Sequence, residues 1–384
     1  MSAVRELENW LRTDFVAGNT VLEHAYVAAG AEIVYDVREL DRHKHTIRDD
    51  GGALVARISE LPESTRDRYT LLGAVGFYLA ACRRHEVAAA EPAQAVASRL
   101  GLALGVAPRF VFAHQSTHNP ADGDAVRAFT NLPDERIFVT YNGFGVLAYE
   151  RAAAALRRVP AMGVSSALAT YLFEDARAAL DDVLRFNRAL TAELDADRFF
   201  RNVRPYYKPH PVCGVEYRGA NAGDFASVNE IDLHLGLCDP TDPFYLRILA
   251  EKYPYVPPED QPRLRDTKVD LLAAFEAAEP TPRTRVNAAH FLALCRAHGA
   301  AYAFHHHQLV KPFLERPAAA APAERQARLS ASGPPLDVVI AGLARLSDLR
   351  AARGRAGTAR VRLDRLRARL AASESGVSGA VDEA

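Results

Sequence analysis

Apolar residues spaced for α-helices dominate this chain, and that spacing limits the folds it can adopt. Between residues 166 and 190, apolar side chains recur three and four residues apart, which places them on one face of a helix. Residues 69–85 and 142–159 also have helical patterns, and the two-residue alternation of a half-buried strand is nearly absent from the first half of the chain. The sequence therefore predicts an all-α fold, in which helices bury their apolar faces against one another.

Proline and glycine divide the helical pattern into three regions. The break GVAPRF at 105–110 ends a small N-terminal helical domain, which we place at residues 1–105. A large helical domain is predicted over residues 106–355. Residues 356–384 are predicted to form a basic C-terminal helix, with its arginines facing solvent, followed by a disordered tail.

Two segments have the composition of loops. The run Asp-Asp-Gly-Gly at residues 49–52 is a typical loop signal. Residues 199–223 combine prolines and glycines with several aromatic residues. A loop of that length inside a compact domain is usually functional, so we expect residues 199–223 to contribute to a binding site.

Composition and charge exclude several classes of protein. The 47 lysines and arginines are balanced by 48 aspartates and glutamates, whereas a nucleic-acid-binding protein has a basic surplus. No apolar run approaches the ~18 residues of a membrane span, and the N-terminus lacks the apolar core of a signal peptide. The four cysteines are far apart and form no CxxC pair, as expected in a reducing compartment. We therefore expect a cytoplasmic protein without a nucleic-acid or membrane partner.

Three consecutive histidines, His305 to His307, lie in a predicted long helix over residues 285–314. Consecutive residues are about 100° apart on a helix, so at most two of the three can face the interior. His306 shares the face of Leu309 and Val310, three and four residues later. A core histidine with hydrogen-bonded ring nitrogens and an axial haem ligand both fit this placement. A zinc site is poorly supported, because no further ligand has the required spacing on that helix.

An arginine stands among aromatic residues in the segment FFRNVRPYYKP. Arg204 follows a Phe-Phe pair and precedes a Tyr-Tyr pair. A guanidinium group binds a carboxylate through two parallel hydrogen bonds, so an arginine beside aromatic rings suits an aromatic amino acid. The structural alternative is a salt bridge to a buried acid such as Asp232.

Several segments, taken in order, resemble one known family. They are GFYLAACRRH, HNPADGDAVRAFTNLPDE, FFRNVRPYYKP with GVEYRG, and HHQLV followed by Phe313-Leu314. Their order and spacing are similar to those of the monodechloroaminopyrrolnitrin synthase family, a branch of the indoleamine and tryptophan 2,3-dioxygenase superfamily. The resemblance covers roughly residues 35–350. It implies an indoleamine 2,3-dioxygenase-like helical haem fold with a small N-terminal domain.

The resemblance also assigns roles to residues. His306 matches the axial ligand of the haem iron, and Arg204 matches the arginine that binds the substrate carboxylate. The other matches to substrate-binding positions are Phe199, Phe112, Gln115, Asn142 and Val146. The matches to the cofactor pocket are Asn221, Ala222, Gly223, Ser332 and Gly333. Ala303 stands where the indoleamine dioxygenases have an arginine near the haem propionates, so those contacts are expected elsewhere.

The function implied by the resemblance is an oxidative reaction that depends on haem b and O2. The implied substrate is tryptophan or a modified, including halogenated, tryptophan in secondary metabolism and antibiotic biosynthesis. An external electron donor is an implied partner. Two alternatives stay open: a tryptophan or indoleamine 2,3-dioxygenase, and a haem-binding helical protein without catalysis.

Overall fold

The computed structural model describes residues 3–119, 126–222, 225–312, 336–353 and 358–378, and most of these are helical. The prediction of an all-α fold is confirmed. The helices are α1 Ala3–Arg12, α2 Asp14–Ala29, α3 Arg38–Ala56, α4 Thr65–Arg84, α5 Glu91–Leu104, α6 Pro133–Met162, α7 Ala167–Glu193, α8 Ala196–Arg198, α9 Ala226–His234, α10 Pro243–Lys252, α11 Asp260–Asp266, α12 Leu271–Ala277, α13 Pro282–Phe304, α14 Leu336–Arg350 and α15 Thr358–Ser378. None of the described helices is long and apolar enough to cross a lipid bilayer.

Residues 199–222, predicted as a loop, have local structure of their own. A π-helical turn, Phe199–Val203, passes into a 3₁₀ turn, Arg204–Tyr207. An antiparallel hairpin follows, in which β1 (His210–Val212) pairs with β2 (Val215–Tyr217). These are the only strands in the part of the chain that the structure describes. The segment is therefore ordered rather than an extended loop.

The loop predicted at residues 49–52 is wrong, because this run lies inside α3. A β-carbon on Gly51 would lie 2.6 Å from Tyr78 Cε2 and 2.8 Å from Trp10 Cη2, which is closer than atoms can pack. A β-carbon on Gly52 would lie 2.8 Å from that of Ala90. The two glycines let α3 approach its neighbours closely, so their role is to allow packing and not to form a turn.

Three long helices pack together in the larger part of the molecule: α7 lies between α6 and α13 and packs along both. Helix α6 begins with Pro133 at its first position, where no backbone donor is needed, and has Asp134 in its first turn. Helix α13 begins in the same way with Pro282, and the side chain of Thr281 accepts a hydrogen bond from the backbone N–H of Thr284. These local signals fix where the helices begin.

Two hydrophobic cores divide the described residues. The first unites α1–α5 with residues 106–113 and the buried side chains of residues 199–220. The second contains the C-terminal half of α6, α7, α9–α10 and the helices that follow. Because the first core continues past residue 105, it does not end where the helical pattern breaks. The domain limits 1–105, 106–355 and 356–384 stay predictions.

Candidate active site

A cavity of about 460 Å³ lies where the two cores meet. Its walls come from α6, α7, α10, α13, α14 and the segment 199–222. The volume is typical of a site that encloses a small molecule or cofactor. Most of the lining is apolar or aromatic, and a few polar side chains reach it from different elements. Such a mixture can hold an aromatic ligand and fix its orientation.

Most of the site residues predicted from the sequence line this one cavity. The lining includes Phe112, Asn142, Val146, Phe199 and Arg204 from the predicted substrate-binding set, and Asn221 and Ala222 from the predicted cofactor pocket. The remaining three predicted pocket residues, Gly223, Ser332 and Gly333, lie outside the described residues. Residues more than a hundred positions apart are thus brought together.

Gln115, a predicted substrate-binding residue, is not among the residues that line the cavity. Its side chain is buried behind the wall, where the amide nitrogen Nε2 donates to Glu135 Oε1 at 2.7 Å. Its carbonyl oxygen accepts from the hydroxyl of Tyr207, and the Tyr207 ring does line the cavity. Gln115 is committed to these two partners, so it holds a wall residue in place instead of touching a ligand.

Arg204 is a buried cation on the cavity wall. It is 3% exposed, and neither Nη1 nor Nη2 has a hydrogen-bond partner among the described residues. Its guanidinium carbon lies 4.9 Å from the centre of the Phe200 ring. Burial lowers the pKa of Arg204 to about 10, so it stays charged at neutral pH. A buried guanidinium of this kind calls for an anionic ligand.

The salt bridge weighed as the structural alternative for Arg204 is absent. Asp232 instead accepts hydrogen bonds from Arg350, at 2.7 Å and 2.8 Å, and from His298 at 2.7 Å. Burial raises the pKa of this carboxyl, but the Arg350 cation and the hydrogen bonds from Arg350 and His298 outweigh it and hold the pKa below the usual range. Asp232 is therefore bound to Arg350 and His298, and the terminal nitrogens of Arg204 have no described hydrogen-bond partner.

His305, not the predicted His306, is the histidine of the triplet that lines the cavity. Helix α13 ends at Phe304, and His305–Val310 form a π-helix, whose turn is wider than an α-turn. In an α-helix, the residues three and four before Leu309 share its face. These residues are His306 and His305. In the wider turn, the residues four and five before Leu309 share its face, so His305 stays on the wall and His306 leaves it.

His306 lies just behind the wall. It is 1% exposed, and neither ring nitrogen has a hydrogen-bond partner among the described residues. Its ring centre is 4.7 Å from that of His307, which is exposed. Burial, with the neighbouring cationic groups, lowers the pKa of His306 to about 4, so its ring is neutral near pH 7. The expectation of a core histidine with satisfied nitrogens is thus not met.

The family model of monodechloroaminopyrrolnitrin synthase PrnB matches residues 1–371. The chain belongs to the PrnB family. The match extends the resemblance found at residues 35–350 to nearly the whole chain. PrnB proteins are synthases, so the chain is an enzyme. The family acts in the biosynthesis of the antibiotic pyrrolnitrin, on a halogenated compound derived from tryptophan, and is known for a haem-dependent enzyme.

The residues around the cavity fit the haem group that is associated with the PrnB family. Phe244 and Ile248 of α10 and Leu343 of α14 present partly buried apolar side chains to it. His305 supplies an imidazole on the same cavity. Arg247, exposed on α10, adds a cation to that wall and has no ion-pair partner among the described residues. An apolar slot with an imidazole and a cation suits a flat, dicarboxylic cofactor.

Several polar residues of the cavity were missed by sequence analysis, among them Asn187, Asn229 and Lys252. Asn187 of α7 is buried, lines the cavity, and its amide has no hydrogen bond to a described residue. Val183, Leu190 and Leu194 line the cavity from the same helix. Asn187 is the polar residue within that apolar stripe, and this interruption is the signal from which it could have been found.

Proposed function

We propose that this PrnB-family enzyme binds haem b in the cavity and uses O2 to transform tryptophan, or a halogenated tryptophan-derived substrate, oxidatively. The observation that carries the proposal is Arg204. It is a buried guanidinium without a described hydrogen-bond partner for its terminal nitrogens, on an aromatic wall of the same cavity that His305 lines. Such a cation fits the carboxylate of an aromatic amino acid.

The cofactor is held, in this proposal, by His305 as the iron ligand. His306 was the ligand predicted from the sequence, and the choice between these two neighbours is open to experiment. Arg247 is placed to bind a propionate, a contact that Ala303 cannot supply. When bound, the haem supplies a redox-active iron at which O2 is used, and an external electron donor keeps that iron reduced.

The protein's own part is to bind and orient the substrate. Arg204 binds the carboxylate, while the rings of Phe112, Phe199 and Tyr207 enclose the aromatic part in a space that excludes water. Glu251 is the carboxylate among the described lining residues, and Arg218 holds it at 2.7 Å. No described side chain is therefore assigned as a proton acceptor, and positioning is the contribution that we derive.

Product analysis tests this proposal. Haem-loaded, reduced protein is given L-tryptophan or a ring-chlorinated tryptophan, then O2, and the products are identified by mass spectrometry. We expect an oxidised product that is not N-formylkynurenine, as for a synthase and not for a simple dioxygenase. N-formylkynurenine as the main product would assign the enzyme to 2,3-dioxygenation. Unchanged substrate in the presence of an electron donor would overturn the proposal.

A further inference from the structure

A buried polar cluster joins the segment that carries Arg204 to the N-terminal helices. It consists of Glu23 on α2, Arg84 in the last turn of α4, and Asn202 in the π-turn. Arg84 binds Glu23 through two hydrogen bonds, Nε to Oε1 at 2.7 Å and Nη2 to Oε2 at 2.8 Å. The amide of Asn202 donates to the same Glu23 Oε2 at 2.9 Å. All three side chains are buried.

The guanidinium of Arg84 also donates hydrogen bonds to two backbone carbonyl groups, one after α2 and one in the π-turn. Its Nη1 donates to the carbonyl oxygen of Glu32 at 2.8 Å, and its Nη2 donates to that of Arg201 at 3.4 Å. Its central carbon lies 4.9 Å from the centre of the Tyr26 ring and 5.9 Å from that of Tyr206. One side chain therefore contacts the chain on either side of Arg204, at residues 201 and 206.

Arg204 itself has few contacts that could fix its direction. Its terminal nitrogens bind no described residue, and its guanidinium carbon lies 4.9 Å from the centre of the Phe200 ring. Because no described hydrogen bond fixes these nitrogens, the direction of the guanidinium depends on the backbone of residues 201–206, from which the side chain extends. Two adjacent residues of that segment are held by the Arg84 cluster: Arg201, three positions before Arg204, through its carbonyl oxygen, and Asn202, two positions before it, through its side-chain amide.

We infer that Arg84 is a positioning residue, which, with Glu23 and Asn202, aims the guanidinium of Arg204 at the substrate carboxylate. This inference rests on the proposed function, because it takes Arg204 as the carboxylate-binding group. Arginine is required at residue 84 because only its planar fork binds a carboxylate and two carbonyl groups at once. A lysine keeps the charge but reaches fewer of these partners.

The test compares ligands with and without a carboxylate. Dissociation constants for L-tryptophan and tryptamine are measured from the shift of the haem Soret band in haem-loaded full-length protein. The variants are Arg84→Lys and Asn202→Ala. The matched control is Arg127→Lys: Arg127 is also buried and paired with an N-terminal glutamate, Glu8, at 2.6 Å, but that pair does not involve residues 201–206.

We expect Arg84→Lys to reduce the preference for tryptophan over tryptamine about tenfold, because misplacing a binding group by even a small distance is costly. Asn202→Ala should reduce it about threefold, since one buried hydrogen bond is lost. Arg127→Lys should leave the preference unchanged. If Arg84→Lys does not fold, Asn202→Ala decides the question.

Each other outcome overturns a specific claim. An unchanged ligand preference in Asn202→Ala and Arg84→Lys, or an equal reduction in Arg127→Lys, would show that the Arg84 cluster has only a general stabilising role. Equal affinity of the wild type for the two ligands would instead overturn the proposed role of Arg204, and the inference with it. A wild type without a Soret band would overturn the haem proposal itself.

Discussion

Burying a guanidinium without a protein partner has a free-energy cost, and Arg204 meets that condition on the cavity wall. A carboxylate ligand relieves the cost and gains two hydrogen bonds. We therefore expect Arg204→Ala to weaken tryptophan binding by roughly 2–5 kcal/mol, which is ~30-fold or more. Arg204→Lys should also weaken it, because an ammonium group lacks the fork. Titration with tryptophan, followed by the Soret shift, measures the effect.

Tryptamine and a neighbouring arginine provide the controls for Arg204. Tryptamine lacks the carboxylate, so its affinity should hardly change in Arg204→Ala, and haem content should stay the same. Arg201→Ala alters an exposed arginine in the preceding turn and should leave tryptophan binding intact. An equal loss for tryptophan and tryptamine would make Arg204 a structural residue, and the substrate would then have to be sought outside the amino acids.

The histidine triplet gives a second prediction at the level of single residues. His305→Ala should abolish the five-coordinate haem spectrum, because His305 is the member of the triplet on the cavity wall. His307→Ala, which alters an exposed side chain, should retain it. Absorption spectra of the haem-reconstituted variants show which of the neighbouring histidines is the iron ligand. Loss of the spectrum in His306→Ala alone would restore the ligand predicted from the sequence.

Among the secondary-structure elements, α3 shows how packing overrides a local signal. Gly51 lies where a β-carbon would meet Tyr78 and Trp10, so Gly51→Ala should destabilise the fold by about 1–3 kcal/mol through overpacking. Gly143 lies inside α6 with open space around it. Gly143→Ala should instead stabilise the protein by about 0.5–1 kcal/mol, because alanine favours helices.

Urea denaturation of both glycine variants measures the change in the free energy of unfolding. Because the two expected changes have opposite signs, each variant serves as a control for the other. If Gly51→Ala proved as stable as the wild type, α3 would not be in close contact with α4. A loss of stability in Gly143→Ala would show that the helix at that position is packed more tightly than the structure indicates.

The accuracy of sequence-based prediction also differs between elements. Local signals mark the beginnings of α6 and α13, Pro133 in α6 and Pro282 after the capping Thr281 in α13, because such residues act on their own neighbours in the chain. The helix predicted from residue 285 thus begins three residues earlier than predicted. The helical structure of residues 49–52 could not be predicted, because a glycine is needed there to leave room for Tyr78, a residue of another helix. The π-turn at His305–Val310 could not be predicted either, and with it His305 rather than His306 lines the cavity.

In the molecule as a whole, the cavity depends on contacts between distant parts of the sequence. The sequence predicted which residues meet there through a family resemblance, and Phe112, Asn142 and Arg204 do line one cavity. The sequence did not distinguish the residues that line the cavity from those that hold the lining residues in place. Gln115 lies behind the wall because Glu135 and Tyr207 bind both ends of its amide, and no local pattern contains that information.

Buried histidines make the stability of the whole molecule depend on pH. His85 is buried between Tyr26, whose hydroxyl donates to Nδ1 at 3.0 Å, and Asn19, whose Oδ1 accepts from Nε2 at 2.7 Å. Burial, with the nearby Arg84 cation, lowers the pKa of His85 well below its usual value. Below about pH 6.5 the unfolded chain therefore binds a proton that the folded chain does not, and folding stability falls as the pH falls.

We expect the free energy of unfolding to fall between about pH 7.5 and about pH 5.5, by up to about 1.4 kcal/mol per pH unit for each such histidine. His85→Gln should reduce the slope of the unfolding free energy against pH by the contribution of about one bound proton. His24→Gln, which alters an exposed histidine of α2, should leave the slope unchanged. Urea titrations at several pH values measure it, and the same slope in His85→Gln and the wild type would contradict the neutral, buried state of His85.

The central claim is that one cavity holds both a histidine-ligated haem and an aromatic amino acid. The most direct measurement is the absorption spectrum of haem-reconstituted, reduced wild-type protein, before and after addition of CO and during titration with L-tryptophan. The claim predicts a five-coordinate spectrum that CO shifts, together with a Soret change that saturates with tryptophan. A six-coordinate spectrum with two histidine ligands that neither CO nor tryptophan alters would contradict it.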